Sequence, residues 1–207
     1  MTGTDITAEI IAPAKAAIPA LALTIAAAFH YLPPSQFLIP DAHTRRERFP
    51  ITFGFDVADA MAHGTVYALR GNGGVALWAQ VPVGGPPEAQ RDPRLEQIDG
   101  EMARRYMQFY RVLGACHPRE SAHHHLMILA VRPDLAGKGF GSALLNQHHT
   151  YLDAVAQPAY LEAGSERARE LYLRHGYLDH GEPIRLPVGT GLMYPMWREP
   201  RPVVPVE

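Results

Sequence analysis

The sequence predicts a mixed α/β domain, and three observations carry that expectation. Apolar residues make up 47% of the 207, enough to close a sizeable core without a disulfide or a structural metal. Some segments repeat apolar residues at helical spacing, while others run apolar or alternate in short stretches bounded by Gly, Pro or Asn. In the second half the two kinds of segment alternate, strand–helix–strand–helix. The length fits one domain over residues 1–207, with the Pro-rich end 198–207 as a frayed tail.

Taken in order, Ile6 to Ile11 reads as a short strand. Ala16 to Phe29 is apolar apart from Thr24, with Ile18, Ala22, Ile25 and Phe29 at helical spacing and Pro19 in the first turn. Its 14 residues fall short of the roughly 20 that cross a bilayer, and Asp5 and Glu9 occupy the place of a signal peptide's cations. A core helix and no membrane partner are therefore expected. Three prolines make His30 to Pro40 a loop, and Thr44 to Ala62 a helix that Pro50 breaks or kinks. Thr65–Arg70 and Gly74–Val81 flank Gly71-Asn72-Gly73 as a hairpin, and Pro82 to Pro93 is a loop. Leu95, Ile98, Met102, Tyr106, Phe109 and Leu113 trace one long amphipathic helix, ended by His117-Pro118. His123 to Val131 is a strand, Gly139 to Asp153 a helix, Pro158 to Ala163 a strand and Ser165 to His175 a helix. Tyr177–Leu186 and Leu192–Trp197 are closing strands.

Nineteen basic against 21 acidic residues leave no field for a sequence-independent nucleic-acid binder. The single cysteine, Cys116, excludes an intrachain disulfide and fits a reducing cytoplasm. It follows the apolar stripe of the long helix and reads as an inert core residue. Alternation places His123, His125, Met127 and Leu129 on one face of their strand, so His123 and His125 alone of that histidine run share a face. No Asp, Glu or Cys at ligand spacing completes a metal site, and no metal is expected.

The most informative segment is the turn Gly137-Lys138-Gly139-Phe140-Gly141-Ser142. A buried strand enters it and an amphipathic helix leaves it. Glycines admit close backbone approach, and a new helix offers unbonded N–H groups to an anion. Lys138 is followed by glycine, which excludes a Walker loop, and Ser142 stands where a dinucleotide fingerprint needs glycine. A phosphate cradle and a plain glycine turn both remain open at this level.

The flanks narrow the choice. The Val-x-Pro ending the strand and the G-x-G-x-G-S-A-L-L helix start resemble motif A of the GNAT acyltransferase superfamily. Downstream, Pro158-Ala-Tyr-Leu-Glu-Ala163 and Ser165-Glu-Arg-Ala168-Arg-Glu-Leu-Tyr172-Leu-Arg-His-Gly176-Tyr177 resemble its second signature. Together these motifs cover about 123–177. Weaker similarity to the branch of puromycin N-acetyltransferase extends to Thr24–Phe29, Pro40-Asp41, Val75–Trp78 and Met196–Pro200. Two positions depart from the pattern: Ala136 replaces the Gln or Arg that opens motif A, and Ser165 replaces the Asn that opens the second.

The resemblance implies a central, mostly antiparallel sheet of about seven strands, splayed between the fourth and fifth and flanked by helices. It implies acetyl transfer from acetyl-CoA to the primary amine of a small molecule, by a monomer or homodimer. Leu129, Ala130 and Val131 would hold the pantetheine arm and Gly137 to Ser142 the pyrophosphate, with Ser165 and Tyr172 alongside. Lys138 is either a phosphate contact or a solvated loop lysine. Tyr172 occupies the position of the general acid, although the helical stripe Ala168, Leu171, Tyr172, His175 would equally serve as packing. His125, His123 and Glu162 are the candidate bases. A catalytically degenerate acyl-CoA-binding sensor or regulatory module is the alternative, favoured by Ala136 and Ser165 and opposed by Tyr172 and the intact glycines.

Overall fold

A computed structural model describes residues 9–88, 92–187 and 191–202. Its strands are β1 (Ile10–Ile11), β2 (Thr65–Leu69), β3 (Gly74–Val81), β4 (His123–Val131), β5 (Ala159–Ala163), β6 (Leu178–Asp179), β7 (Ile184–Arg185) and β8 (Leu192–Arg198). The helices are α1 (Ile18–Phe29), α2 (Pro33–Leu38), α3 (Ala42–His63), α4 (Pro93–Ile98), α5 (Gly100–Cys116), α6 (Phe140–Ala154) and α7 (Glu166–Arg174). Residues 6–8 of the expected first strand, 89–91 of the expected loop and 203–207 of the expected tail lie outside the described residues. Among the described residues no helix is long and apolar enough to cross a membrane.

The strands form one sheet in the order β1-β2-β3-β4-β5-β8-β6, with β7 also on β8. All neighbours are antiparallel except β4 and β5, which pair only at His124↔Ala159 and His125↔Tyr160. Beyond His125 the two parallel strands diverge, as the resemblance implied, and the β5-facing edge of β4 is left open. Apolar residues line both faces. On one, Leu21 and Ile25 of α1, Phe49 and Val57 of α3 and Tyr106 of α5 pack on Leu77, Ile128 and Ala130. On the other, Leu144, Leu145 and Leu152 of α6 and Tyr172 of α7 pack on Trp78, Leu126 and Leu161.

Several expected elements are corrected. The segment 30–40 is not a loop throughout, because Pro33 and Pro34 occupy the first turn of α2, where a missing N–H costs nothing. α3 runs continuously through Pro50. Its start is fixed by Asp41, whose carboxylate accepts from the Thr44 amide at 2.6 Å and its hydroxyl at 2.7 Å. The long helix expected from Leu95 to Leu113 is two. Asp99 takes an extended conformation and caps α5, accepting from the amides of Glu101 at 2.8 Å and Met102 at 3.1 Å. A capped break preserves the helical spacing of the apolar residues, so periodicity alone missed it.

Strict alternation also fails along β4. Leu77 pairs with Ile128 but Trp78 pairs with Leu126, so Met127 has no partner on β3 and forms a β-bulge. One extra residue reverses the faces. Leu126 and Leu129 therefore pack on the α6–α7 side, whereas Ile128 and Ala130 pack on the other. His123 and His125 do not share a face with Leu129, contrary to expectation.

The closing strand is pinned by Arg198, whose side chain is only 2% exposed and whose Nη2 donates to Asp153 Oδ2 at 2.8 Å. Asp153→Ala strands that guanidinium, and a loss of about 3 kcal/mol in urea unfolding is expected.

Candidate active site

The glycine turn is built by backbone conformation. Gly137 and Gly139 have φ of 78° and 83°, a region costly for any residue with a Cβ. A Cβ on either would meet no atom within 4 Å, so the turn is open to its surroundings rather than packed. Gly139 is the N-cap of α6 and supplies no side-chain cap. The first α6 amide to find a carbonyl is Ala143, donating to Gly139 O at 3.0 Å. The N–H groups of Phe140, Gly141 and Ser142 therefore point out of the helix end without intrahelical partners. His175 Nε2 lies 2.9 Å from Ser142 Oγ and ties the end of α7 to this first turn. Gly139→Ala should cost about 1–2 kcal/mol of stability through the backbone alone. It should also raise KM for acetyl-CoA, which unfolding and steady-state kinetics would measure.

The open edge of β4 continues the cradle. Arg132 N donates to Gly73 O at 2.9 Å, toward β3. Peptide groups alternate along a strand, so the amides and carbonyls of Leu129 and Val131 face the side that β5 has left, while Ala130 is turned to Val75 on β3. An extended chain can pair there and run on to the α6 N-terminus. These features fit the pantetheine and diphosphate of acetyl-CoA: a free strand edge for an amide-bearing arm, then unbonded N–H groups for an anion. Lys138 is exposed beside them, and exposed Ala136 contributes no side-chain donor. Ser165 is the N-cap of α7, its Oγ accepting from Ala168 N at 3.2 Å.

Tyr172 lies under the same edge, buried among Leu129, Leu171 and Phe140, with its ring 5.7 Å from that of Tyr177. Its hydroxyl makes no hydrogen bond to a described residue, and burial pushes its pKa well above that of an ordinary phenol. It therefore keeps its proton throughout the neutral range.

On the opposite face four side chains converge. His125 Nε2 lies 2.8 Å from Glu162 Oε2, and His117 Nδ1 lies 3.7 Å from Glu162 Oε1. His117 Nε2 meets His123 Nε2 at 3.0 Å, and His123 Nδ1 reaches Ser121 O at 2.8 Å. A carbonyl only accepts, so His123 donates from Nδ1. Burial lowers the His123 pKa to about 4. It is thus neutral, accepts from His117 Nε2–H, and is a poor base. For Glu162, burial acts to raise the pKa, but the neighbouring imidazoles of His125 and His117 outweigh it and hold the carboxyl at about 2. Ionised Glu162 makes His125 Nε2 the donor, which leaves the lone pair on Nδ1.

The structure thus joins His125 to Glu162 and confines His123 to a supporting position. His117 was read in the sequence only as a helix terminator, and its place comes from the α5–β4 connection, which no spacing rule encodes. The expectation that no carboxylate completes a ligand set considered only the strand's own histidines. Among the described residues, His117, His125 and Glu162 bring ligand atoms within 4.8 Å of one another. Cys116, expected in the core, is exposed at the end of α5. Of the aromatics on α5, Tyr106 is buried with its hydroxyl on Thr52 Oγ1 at 3.1 Å, while Tyr110 is 41% exposed. Tyr106 and Tyr110 line a small cavity with Asp56 and Asp92.

Comparison with known proteins bears on the fold that carries these residues. Residues 103–178 match the family model described as an acetyltransferase (GNAT) domain. A histone acetyltransferase HPA2 and related acetyltransferase from Corynebacterium glutamicum is 27% identical, over 96% of this chain and 98% of its own, with a TM-score of 0.71. Arylalkylamine N-acetyltransferase 2 from Aedes aegypti shares the fold at 11% identity, over 92% of this chain and 98% of its own, with a TM-score of 0.62. The PaiA N-acetyltransferase from Thermoplasma acidophilum, solved in complex with coenzyme A, shares it at 9% identity over 92% and 98%, with a TM-score of 0.54. The matched domain contains β4 with its open edge, the glycine turn, α6, β5 and α7, which are the parts that build the cradle. Residues 103–178 carry a GNAT acetyltransferase domain, and the chain has the fold of an acetyl-CoA-dependent N-acetyltransferase.

Proposed function

We propose that this enzyme transfers acetyl from acetyl-CoA directly to the primary amine of a small molecule, a metabolite or an antibiotic, with Tyr172 as general acid and His125 as general base. The observation that carries the reading is the opening between β4 and β5, flanked by the His125–Glu162 pair on one face and Tyr172 on the other. Acetyl-CoA supplies the activated acyl group as a thioester. The Leu129 and Val131 backbone would align the arm, the amides of Phe140 to Ser142 would hold the diphosphate, and Lys138 would add charge. Only a neutral amine has a lone pair, so a base is needed on the face from which the acceptor enters. His125 Nδ1 can take that proton while Glu162 holds the opposite ring nitrogen, the role a carboxylate plays in other histidine–carboxylate pairs. Tyr172 holds a proton on the other face for the departing thiolate. A base and an acid on opposite sides of the opening can act in one ternary complex, without an acyl-enzyme.

Release of CoA thiol would be followed with acetyl-CoA and an amine panel of arylalkylamines, polyamines, aminoglycosides, an amino-nucleoside and a lysine peptide. Turnover with a small amine and not with the peptide is the expected result. Turnover with the peptide alone would overturn the acceptor class, and saturable CoA binding without turnover would overturn the transfer mechanism.

A further inference from the structure

Glu162 uses only one of its two oxygens in the His125 pair. Its side chain is 5% exposed, and its Oε1 is buried with no hydrogen-bond partner among the described residues. The Tyr160 hydroxyl is likewise buried without a partner, and its ring packs 4.6 Å from that of His117 and 5.5 Å from that of His125. Two orphaned oxygens in one buried place are costly unless something satisfies them. The third direction is closed by His117. The hydrogen-bond chain from Ser121 O through His123 ends on His117 Nε2, which leaves His117 Nδ1 facing Glu162 Oε1 at 3.7 Å, beyond ordinary hydrogen-bond reach. A cation between them would be held by both.

We infer that His117 Nδ1, His125 Nε2 and Glu162 form a three-ligand site for a divalent transition ion of the zinc type, open on the His125 side. Two imidazoles and one carboxylate with a free position are a donor set that zinc accepts readily. One ligand atom from each residue lies within 4.8 Å of the others, so a modest contraction toward the roughly 3.3 Å edge of a tetrahedron with bonds of about 2.0–2.1 Å would close the site. His123 then serves as the outer partner that fixes the His117 tautomer. His125 is 19% exposed, whereas His117 is 3%, so an ion enters from the acceptor side. Occupancy has a consequence that rests on the proposed function. A metal on His125 Nε2 moves the ring proton to Nδ1 and removes the lone pair that takes the amine's proton, so the ion inhibits transfer.

The test is direct titration of chelator-treated full-length protein with Zn2+ alone by calorimetry, and with Co2+ by visible spectroscopy. One equivalent should bind, with cobalt d–d bands and no thiolate charge-transfer band. His117→Gln and Glu162→Gln should each weaken Zn2+ binding by about 100-fold or more, given that even outer-shell partners are worth 10–100-fold. Circular dichroism would verify that both variants are folded, and the wild-type cobalt spectrum stands whatever their fate. No stoichiometric binding, or undiminished binding by both folded variants, would overturn the site. Zn2+ inhibition reversed by chelator is the expected kinetic result; stoichiometric binding that leaves turnover unchanged would overturn the inhibitory role alone. Because the titration uses no acetyl-CoA, a failure of the proposed reaction remains distinguishable from a failure of the metal site.

Discussion

Tyr172→Phe is expected to lower kcat by about 100-fold or more while leaving KM for acetyl-CoA and the fold nearly unchanged. General acid catalysis by a positioned side chain is typically worth 10²–10⁴-fold. The ring stays in its place against Tyr177 and Leu171, so packing is preserved and only the proton is lost. Because the hydroxyl makes no hydrogen bond to a described residue, its deletion strands no partner. Burial raises the phenol's pKa, so wild-type activity should show no alkaline loss from Tyr172 within the neutral range. Undiminished turnover by the variant, measured by thiol release at saturating acetyl-CoA, would reduce Tyr172 to a packing residue.

The second large effect concerns the opposite face. His125→Gln should lower kcat/KM for the amine by about 100-fold near neutral pH, with binding of CoA retained. Glu162→Gln should act through His125, because an amide holds the ring but does not stabilise its cation. A fall of about 10-fold in kcat with a changed acid limb of the pH–rate profile is expected. The lowered pKa of Glu162 gives a sign for stability as well. Its contribution is fully present above the ordinary carboxylate pKa and is lost as pH falls toward about 2, so Glu162→Gln should narrow the difference in unfolding free energy between pH 7 and pH 3. Should His125→Gln keep its rate while amine KM alone rises, the residue positions the acceptor and bulk water is the base.

The glycine turn and its flanking elements were read correctly because their pattern is local. The turn Gly137 to Ser142 announces itself through glycines that must take positive φ, and the strand before it and helix after it through their periods. The hairpin around Gly71 to Gly73 is of the same kind. Where a single residue changes register or a capped break preserves spacing, the pattern carries no mark. Met127 bulges out of β4 and turns His125 away from Leu129, and Asp99 divides one apparent helix into two. Both features depend on what lies across the sheet or around the helix end.

The sequence by itself determined that this chain has a strand, a glycine turn and a helix with the second signature following them, since each element is specified by residues within a few positions. Only the tertiary structure decided which side chains meet. His117, His125 and Glu162 come from the end of α5, β4 and β5, and they converge because a parallel pair holds for two residues and then opens. That convergence is a property of strand pairing across the 44 residues of chain between His117 and Glu162, and no local period encodes it.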